Sequence, residues 1–394
     1  MHIMFMAQCY APEDVSASVL ITELATDLVK RGHCVTMITS APNYPYGILF
    51  KGYRNRLYAV ETLDGVRVIR TWSYISPSKE FWPRLFHYGT YSATAFFGGL
   101  AAGRPDVLVS FSPPLPLGLS AWLLSRIWHK PWVLQLEDLY PDAAVAAGVL
   151  RNKRVIEFFL KIERFLYHHS HRISVISESF RLSLLAKGVP DLNIEVIPSW
   201  ADPDEVRPMQ KENDFRHRYG LGDKFVVMYA GNIGLTSCLE DLLCAADILR
   251  EHKDIRIVLV GEGVKKNFLE TESRSRNLDN ILFLPYQARE AFPEMLAAAD
   301  LGLVTLNPGA SLSSLPSKTF NVMASGRPIL AVTPPEGETA RLIRVAGCGW
   351  NVPPKSPQKL AEVIVMLKAQ GSLLPKWAKT HVIILRNIIH AIDV

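Results

Sequence analysis

Cysteine is scarce in this chain: there are five among 394 residues, and they form no C-x-x-C pair. An odd, dispersed set of thiols argues against a disulfide framework, so we expect reduced cysteines and a cytosolic compartment. Long apolar runs are missing too. None reaches the roughly 18 residues of a membrane-spanning helix. The apolar N-terminal stretch lacks a basic segment before it and a small-residue cleavage site after it, which indicates a strand instead of a signal peptide.

Concentrated charge of one sign is also absent. The formal net charge is +5; residues 1–204 carry 20 basic and 18 acidic side chains, and residues 205–394 carry 23 and 20. This balance excludes the dense positive surface of a nucleic-acid binder and leaves a mild attraction to anionic lipid or phosphate. There is no Walker A, G-x-S-x-G or H-E-x-x-H motif. We interpret His168, His169 and His171 as residues at the end of a helix, near its negative dipole end.

Short apolar runs alternate with amphipathic helical segments from one end of the chain to the other. This alternation predicts α/β architecture, with parallel sheets covered by helices on both faces. The predicted strands are 2–9, 35–39, 66–70, 106–111, 132–136, 172–176, 194–197, 225–230, 255–260, 281–284, 301–305 and 329–332. The clearest helices are predicted at 17–32, 81–101, 154–168 and 238–251.

The pattern pauses at 199–222, a charged stretch with Pro203 and Pro208 that is typical of a linker. We therefore predict two doubly wound, Rossmann-like lobes, residues 1–204 and 205–374, with a separate tail at 375–394. In such sheets, ligands bind beyond the carboxyl ends of the strands. The expected site is a cleft between the lobes.

Two segments of the second half could bind a phosphate. Gly231, Asn232 and Gly234 follow a predicted strand and precede a helix, where backbone N–H groups can approach an anion. A plain tight turn is the alternative, since glycine is common in turns. Lys318 follows Leu315 and Ser317 at the start of another helix. There a lysine could offset the charge of a leaving diphosphate, or it could be an ordinary solvated side chain.

The first half offers a pair of carboxylates and a basic helix. Glu137 and Asp138 end a buried strand, where one could position or deprotonate an acceptor hydroxyl, or cap a helix or form a loop salt bridge. Residues 151–172 carry six basic and two acidic side chains beside an apolar stripe, which we expect to pack on the sheet while the charges contact anionic membrane. Asp202 and Asp204 form a D-x-D, but its place in the linker argues against a metal site.

Beyond these residues, the chain resembles the retaining family 4 glycosyltransferases of GT-B fold. It is most similar to the branch that builds colanic acid, O-antigen and capsule, which includes fucosyl- and N-acetylfucosaminyl-transferases. The resemblance spans about residues 1–370. It rests on these segments: YAPE at 10–13, ELATDLVKRGHCVTMITSAPNYPYG at 23–47, DGVRVIRTWSY at 64–74, PDVLVSFSPPL at 105–115, LQLEDLYPDAAVAAGVL at 134–150, YAGNIG at 229–234, LVGEG at 259–263 and LPSKTFNVMASGRPILAV at 315–332.

The resemblance implies an enzyme that moves a sugar from a UDP- or GDP-sugar to a lipid-linked saccharide, with no metal and no cofactor besides the donor. The second lobe would hold the nucleotide, and the first would face the acceptor. Lys318, Glu137 and Asp138 would be catalytic. The implied substrate-binding residues are Gly231, Asn232, Gly234, Gly261, Glu262, Leu284, Tyr286, Ser313, Leu315, Ser317, Asn321, Asn43 and Tyr44.

The sequence also departs from the family pattern. Ser313 and Asn321 stand where many members have two glutamates, Asn232 and Ser237 replace a basic pair, and the tail is atypical. These departures keep two alternatives open: a nucleotide-sugar epimerase of the same architecture, and a non-catalytic nucleotide-sugar-binding subunit. For a transferase, we expect a front-face mechanism in which the leaving diphosphate takes the acceptor proton. We also expect contact with the inner membrane face through residues 79–88 and 151–172.

Overall fold

In a computed structural model, the chain is described for residues 1–370 except 79, 147, 203–204 and 311–314. It divides into two compact units, Met1–Pro198 and a second that begins at Ser199. The predicted tail at 375–394 lies outside the described residues.

The first unit is built on an eight-stranded sheet. Its strands are β1 His2–Met6, β2 Cys34–Ser40, β3 Tyr58–Leu63, β4 Val66–Thr71, β5 Val107–Ser112, β6 Trp132–Leu136, β7 Arg172–Val175 and β8 Ile194–Val196. Its helices are α1 Ser16–Lys30, α2 Phe81–Ala102, α3 Leu117–Trp128, α4 Asp142–Ala146, α5 Lys153–His169 and α6 Glu178–Ala186. The sheet order is β3-β4-β2-β1-β5-β6-β7-β8.

The second unit is built on a six-stranded parallel sheet. Its strands are β9 Phe225–Ala230, β10 Ile255–Val260, β11 Ile281–Leu284, β12 Leu301–Thr305, β13 Ile329–Val332 and β14 Gly349–Val352. Its helices are α7 Asp214–Arg218, α8 Leu239–Ile248, α9 Lys266–Ser275, α10 Phe292–Ala297, α11 Lys318–Ala324, α12 Glu338–Ala346 and α13 Pro357–Ala369. The sheet order is β11-β10-β9-β12-β13-β14.

The central strands of the second sheet, which were predicted from the sequence, are buried on both faces. β9 and β10 pair in parallel register from Phe225 with Ile255 to Ala230 with Val260, and all but Ala230 and Arg256 among these twelve residues are buried. Helices α8 and α13 cover this part of the sheet through a core that includes Val227, Leu242, Leu243, Ile257, Leu360 and Ile364. Each such side chain contributes about 1.5–3 kcal/mol by leaving water.

One strand of the first sheet runs against the all-parallel prediction. β3 pairs antiparallel with β4, and its residues alternate between exposed and half-buried. The turn between them, Asp64-Gly65, has positive φ at both residues (49° and 81°), which is the geometry of a tight hairpin turn. The Asp-Gly pair between two β-forming runs was therefore the signal for this strand.

The segment predicted as a linker is partly folded. It contains α7, in which Arg216 is fully buried and donates hydrogen bonds to the carbonyls of Ala298 (2.6 Å) and Lys224 (2.7 Å). Arg216 also forms an ion pair with Asp300 at 3.6 Å. The charge that suggested a solvated linker instead anchors this segment to the second unit.

Candidate functional site

The carboxyl end of β9 is where the second sheet changes its winding direction. β9 lies between β10 and β12, so the connections beyond it leave toward opposite sides and open a crevice. Two loops meet at this point. The amide of Gly231 donates to Val260 O at 2.9 Å, and the amide of Ile233 donates to Glu262 O at 2.8 Å.

The close contact between these two loops requires glycine at two of the predicted positions. Gly231 has φ of 141° and Gly261 has φ of 146°, values that side chains rarely allow. A Cβ on Gly261 would lie 1.9 Å from the carbonyl oxygen of Gly231. A Cβ on Gly231 would lie 2.9 Å from Lys318 Nζ. The glycine loop is thus more than a turn, because its bare backbone is packed against a lysine ammonium.

Lys318 is not a solvated surface lysine. Its Nζ lies 3.7 Å from the ring centroid of Tyr229, a buried residue of β9 whose hydroxyl donates to Asn232 O at 2.6 Å. Burial lowers the pKa of Lys318 to about 7, and no carboxylate in the described part of the chain opposes that shift. Among the described residues, this ammonium contacts the face of the Tyr229 ring, and a cation–π contact is weaker than an ion pair with an anionic group.

The other residues predicted in this unit fall around the same crevice. The carbonyl of Leu284, at the end of β11, accepts from Gly261 N at 3.0 Å. Glu262 forms an ion pair with Lys266 at 2.6 Å. Tyr286 is 45% exposed, Leu315 is buried, and Ser317 and Asn321 are half-buried beside Lys318 in the chain. Ser313 lies outside the described residues, as does Asp204 of the discounted D-x-D.

In the first unit, a carboxylate that the sequence analysis did not single out organises the equivalent edge. Glu13 is 2% exposed, and it follows β1, which lies between β2 and β5 at the centre of its sheet. Its Oε1 accepts from the amides of Asn43 (2.8 Å) and Tyr44 (2.7 Å), and its Oε2 accepts from Tyr10 N at 3.1 Å. The YAPE segment contained this residue, but two of its three partners, Asn43 and Tyr44, lie 30 and 31 positions away.

The predicted pair Asn43 and Tyr44 has two different roles. Asn43 is 4% exposed, and its side-chain amide donates to Ala41 O at 2.8 Å, so it holds the loop in shape. Tyr44 is 42% exposed and feels the charges of Glu13, Asp138 and Arg84. The loop therefore presents Tyr44, and not Asn43, near the predicted carboxylate Asp138.

The two carboxylates that end β6 differ in their surroundings. Glu137 accepts a hydrogen bond from Gln135 Nε2 at 3.1 Å, and its amide donates to Ser112 O. Burial raises the pKa of Glu137. Asp138 is half-buried and close enough to act on Tyr44. A carboxyl that retains its proton more readily than usual is suited to act as an acid or a base toward a hydroxyl group.

Helix α5 confirms one prediction and corrects another. The Nδ1 atoms of His168 and His169 hydrogen-bond to the carbonyls of Arg164 and Phe165, both at 2.7 Å, as expected for the end of a helix. The apolar stripe, however, is not wholly in the core. Phe159 and Leu166 are buried, but Phe158 is 59% exposed. Adjacent positions on a helix point 100° apart, so both phenylalanines could not face the sheet.

Comparison with solved structures identifies the fold. The sucrose-phosphate synthase of Thermosynechococcus elongatus has a similar structure over 98% of this chain and 95% of its own, with a TM-score of 0.77 at 17% sequence identity. This likeness and the two α/β units confirm the GT-B class predicted from the sequence.

The family follows from the sequence matches. Residues 17–200 match the family described as Glycosyl transferase 4-like domain, and residues 211–380 match Glycosyl transferases group 1. The chain is 30% identical to an Escherichia coli K12 protein described as the colanic acid biosynthesis glycosyl transferase WcaI, over 93% of this chain and 91% of that protein. It is 32% identical to the Pseudomonas aeruginosa glycosyltransferase WbjE over 67% and 66% of the two chains. The chain belongs to this glycosyltransferase family.

Proposed function

We propose that this glycosyltransferase moves a sugar from a UDP- or GDP-sugar to a lipid-linked saccharide during assembly of a bacterial surface polysaccharide, with retention of anomeric configuration. UDP-N-acetylfucosamine is the donor we propose to test first. The observation that carries the donor assignment is the Lys318 ammonium, packed against Gly231 and the Tyr229 ring without an ionic partner among the described residues. The name of the relative WcaI supports the biosynthetic setting.

The proposed transfer reaction uses charged side chains at the carboxyl ends of both sheets: Lys318 in the second unit and Glu137 and Asp138 in the first. As the bond from the sugar to the diphosphate breaks, negative charge grows on the leaving oxygen, and Lys318 stabilises it. Backbone N–H groups of the 231–234 loop add to this stabilisation. In a front-face reaction, the acceptor hydroxyl attacks on the side the diphosphate leaves and passes its proton to that diphosphate. Glu137 and Asp138 would orient the acceptor hydroxyl.

We also propose that the reaction takes place at the inner face of the cell membrane, reached from the cytosol. The five cysteines are free, which suits a reducing compartment. Exposed aromatic side chains, including Trp82 (60%) and Phe86 (61%), accompany the exposed basic residues of α5 in the first unit. In the part of the chain that the structure describes, no helix is long and apolar enough to cross a bilayer.

The test is a donor panel followed by product analysis. The nucleotide-sugar that raises the melting temperature most identifies the donor, since a ligand stabilises the state it binds. That donor is then incubated with and without a lipid-linked acceptor. Transfer to the acceptor with the anomeric signal of the donor retained in NMR spectra supports the proposal. Conversion of the donor alone to an epimer would identify an epimerase. Binding without turnover on any lipid acceptor would identify a nucleotide-sugar-binding subunit.

A further inference from the structure

Tyr229 contacts both groups that we assign to the donor diphosphate, the 231–234 loop and Lys318. It is 1% exposed and is the second-last residue of β9. Its ring faces the Lys318 ammonium, with Nζ 3.7 Å from the ring centroid, and its hydroxyl donates to Asn232 O at 2.6 Å. The ring and the hydroxyl of one buried side chain therefore act on two different parts of the crevice.

The loop and the residues that follow it are held by further side chains. The hydroxyl of Ser237, a buried residue, donates to Gly234 O at 2.8 Å. The side-chain amide of Asn307, which follows β12, donates to Leu235 O at 3.2 Å. The Tyr229 hydroxyl belongs to the same set of hydrogen bonds, each of which fixes one carbonyl group. Together they keep the backbone in one conformation before a ligand binds.

A ring face stabilises an ammonium group differently from a carboxylate. The attraction comes from the quadrupole of the ring, so the net charge of the lysine is not neutralised. An aspartate or glutamate in the same place would cancel that charge and would repel an incoming anion. The described residues place no carboxylate beside Lys318, and Nζ lies next to Gly231. The ring therefore fixes the position of the ammonium and leaves its charge available.

We propose that Tyr229 is a positioning residue for donor binding: its ring holds the Lys318 ammonium beside Gly231 without neutralising it, and its hydroxyl fixes the 231–234 loop. The inference rests on the proposed function and deepens it, because it names the side chain that prepares the diphosphate site. The two contacts can be removed separately. Tyr229→Phe removes the hydroxyl and retains the ring, whereas Tyr229→Met removes both and leaves an adaptable apolar side chain in the core.

The test measures the affinities of these variants for UDP and GDP by titration calorimetry at pH 6, where the Lys318 amine is protonated. For the diphosphate that the wild type binds more tightly, Tyr229→Phe should lose about two- to tenfold, the usual effect of one neutral hydrogen bond. Tyr229→Met should bind roughly five- to thirtyfold more weakly than Tyr229→Phe, because a buried cation–π contact is lost. In a Lys318→Ala background, the Phe and Met variants should bind equally, since the ring then has no ammonium to hold.

The matched control is Phe225→Met, which removes a buried ring from the other end of β9 and should leave the affinity unchanged. Melting temperatures check that each variant is folded. Equal affinities of the Phe and Met variants with Lys318 in place would overturn the proposal. A difference of the same size in both backgrounds would also overturn it, because the ring would then serve core packing alone.

Tyr229→Phe decides the question independently, since it retains the volume of the ring. If it binds the diphosphate as weakly as Lys318→Ala, the ring face does not hold the lysine and the inference is wrong. Normal diphosphate binding by the wild type together with any of these contrary results refutes this inference alone. A wild type that binds neither UDP nor GDP would instead refute the proposed function.

Discussion

Lys318 occupies a place that ordinary lysines avoid, because its ammonium is partly buried and faces an aromatic ring instead of a carboxylate. The contact with Tyr229 offsets only part of the cost of removing the charge from water. A buried cation with so little compensation for its lost hydration is suited to stabilising negative charge that develops during a reaction. The LPSK segment identified this lysine as a candidate from the sequence. Its contact with Gly231 could not be predicted, because that contact forms only where α11 packs near the end of β9.

We expect Lys318→Ala to lower kcat by about 10²–10³ while leaving the fold intact, because the leaving diphosphate loses an electrostatic partner. Initial rates at saturating donor and acceptor measure the effect, and the far-ultraviolet circular dichroism spectrum checks the fold. Lys359→Ala is the control, since Lys359 is exposed on α13. If Lys318→Ala turns over as fast as the control variant, Lys318 is not a catalytic residue.

The lowered pKa of Lys318 also predicts a pH dependence of donor binding. Below about pH 7 the amine of the free enzyme is protonated and ready to pair with a diphosphate; above it, binding must take up a proton. Donor affinity should therefore be highest below pH 7 and fall up to tenfold per pH unit above it. Titration calorimetry from pH 6 to 9 measures this with the intact nucleotide-sugar, whose diphosphate does not titrate in that range. Lys318→Arg should abolish the pH dependence, and an equally steep fall in that variant would contradict our account.

At the level of elements, the sequence predicted buried strands far better than exposed ones. The bounds of β9, β10, β11, β12 and β13 match the predicted ranges, because continuous Val, Ile and Leu runs are typical of strands covered on both faces. β3 was missed because its half-exposed side chains give no such run. α7 was missed because a short helix held by a buried arginine carries the composition of a linker.

The loop that presents Tyr44 depends on Glu13, which could not be assigned from the sequence because its partners come from different loops. We expect Glu13→Gln to raise the KM for acceptor and to lower the melting temperature. A glutamine amide would place N–H groups against backbone N–H donors, which costs about 1–3 kcal/mol for each unsatisfied group. Because Glu13 and the proposed nucleotide site belong to different units, donor affinity should be unchanged.

Steady-state kinetics with the acceptor varied, together with donor titration, separate this effect from general destabilisation. Glu157→Gln, an exposed glutamate on α5, is the control. If Glu13→Gln lowers stability but leaves the KM for acceptor at the control value, Glu13 supports the fold and does not position Tyr44.

At the scale of the whole molecule, we propose that the second unit binds the donor and the first unit binds the acceptor. We expect activity to survive chelation of divalent metals, because in our proposal Lys318 supplies the positive charge at the diphosphate that a metal ion supplies in other enzymes. Transfer rates are measured after dialysis against EDTA and again after addition of Mn²⁺ or Mg²⁺. Complete loss in EDTA that either ion restores would show that the reaction needs a metal.

We propose that the basic surface of α5 contacts the membrane. Residues 151–172 carry six basic and two acidic side chains, and one of the acids, Glu163, is buried and paired with Lys187 and Tyr167. The outward charge is therefore almost entirely basic, beside the exposed ring of Phe158. Each basic side chain near an anionic surface contributes about 1 kcal/mol, and the attraction falls off within a Debye length.

Binding to liposomes should therefore rise with the anionic lipid content and weaken in high salt. Replacing five exposed basic residues of this surface together with glutamine should weaken it and spare donor affinity: Arg151, Lys153, Arg154, Lys161 and Arg164. The matched control removes the same number of exposed charges from the second unit: Lys253, Arg274, Arg344, Lys355 and Lys359. Both variants lose five positive charges, so a difference between them depends on where the charges lie and not on net charge. If the two bind anionic liposomes equally well in sedimentation assays, the α5 surface is not the membrane contact, and the lipid-linked acceptor must be reached through the exposed rings of α2.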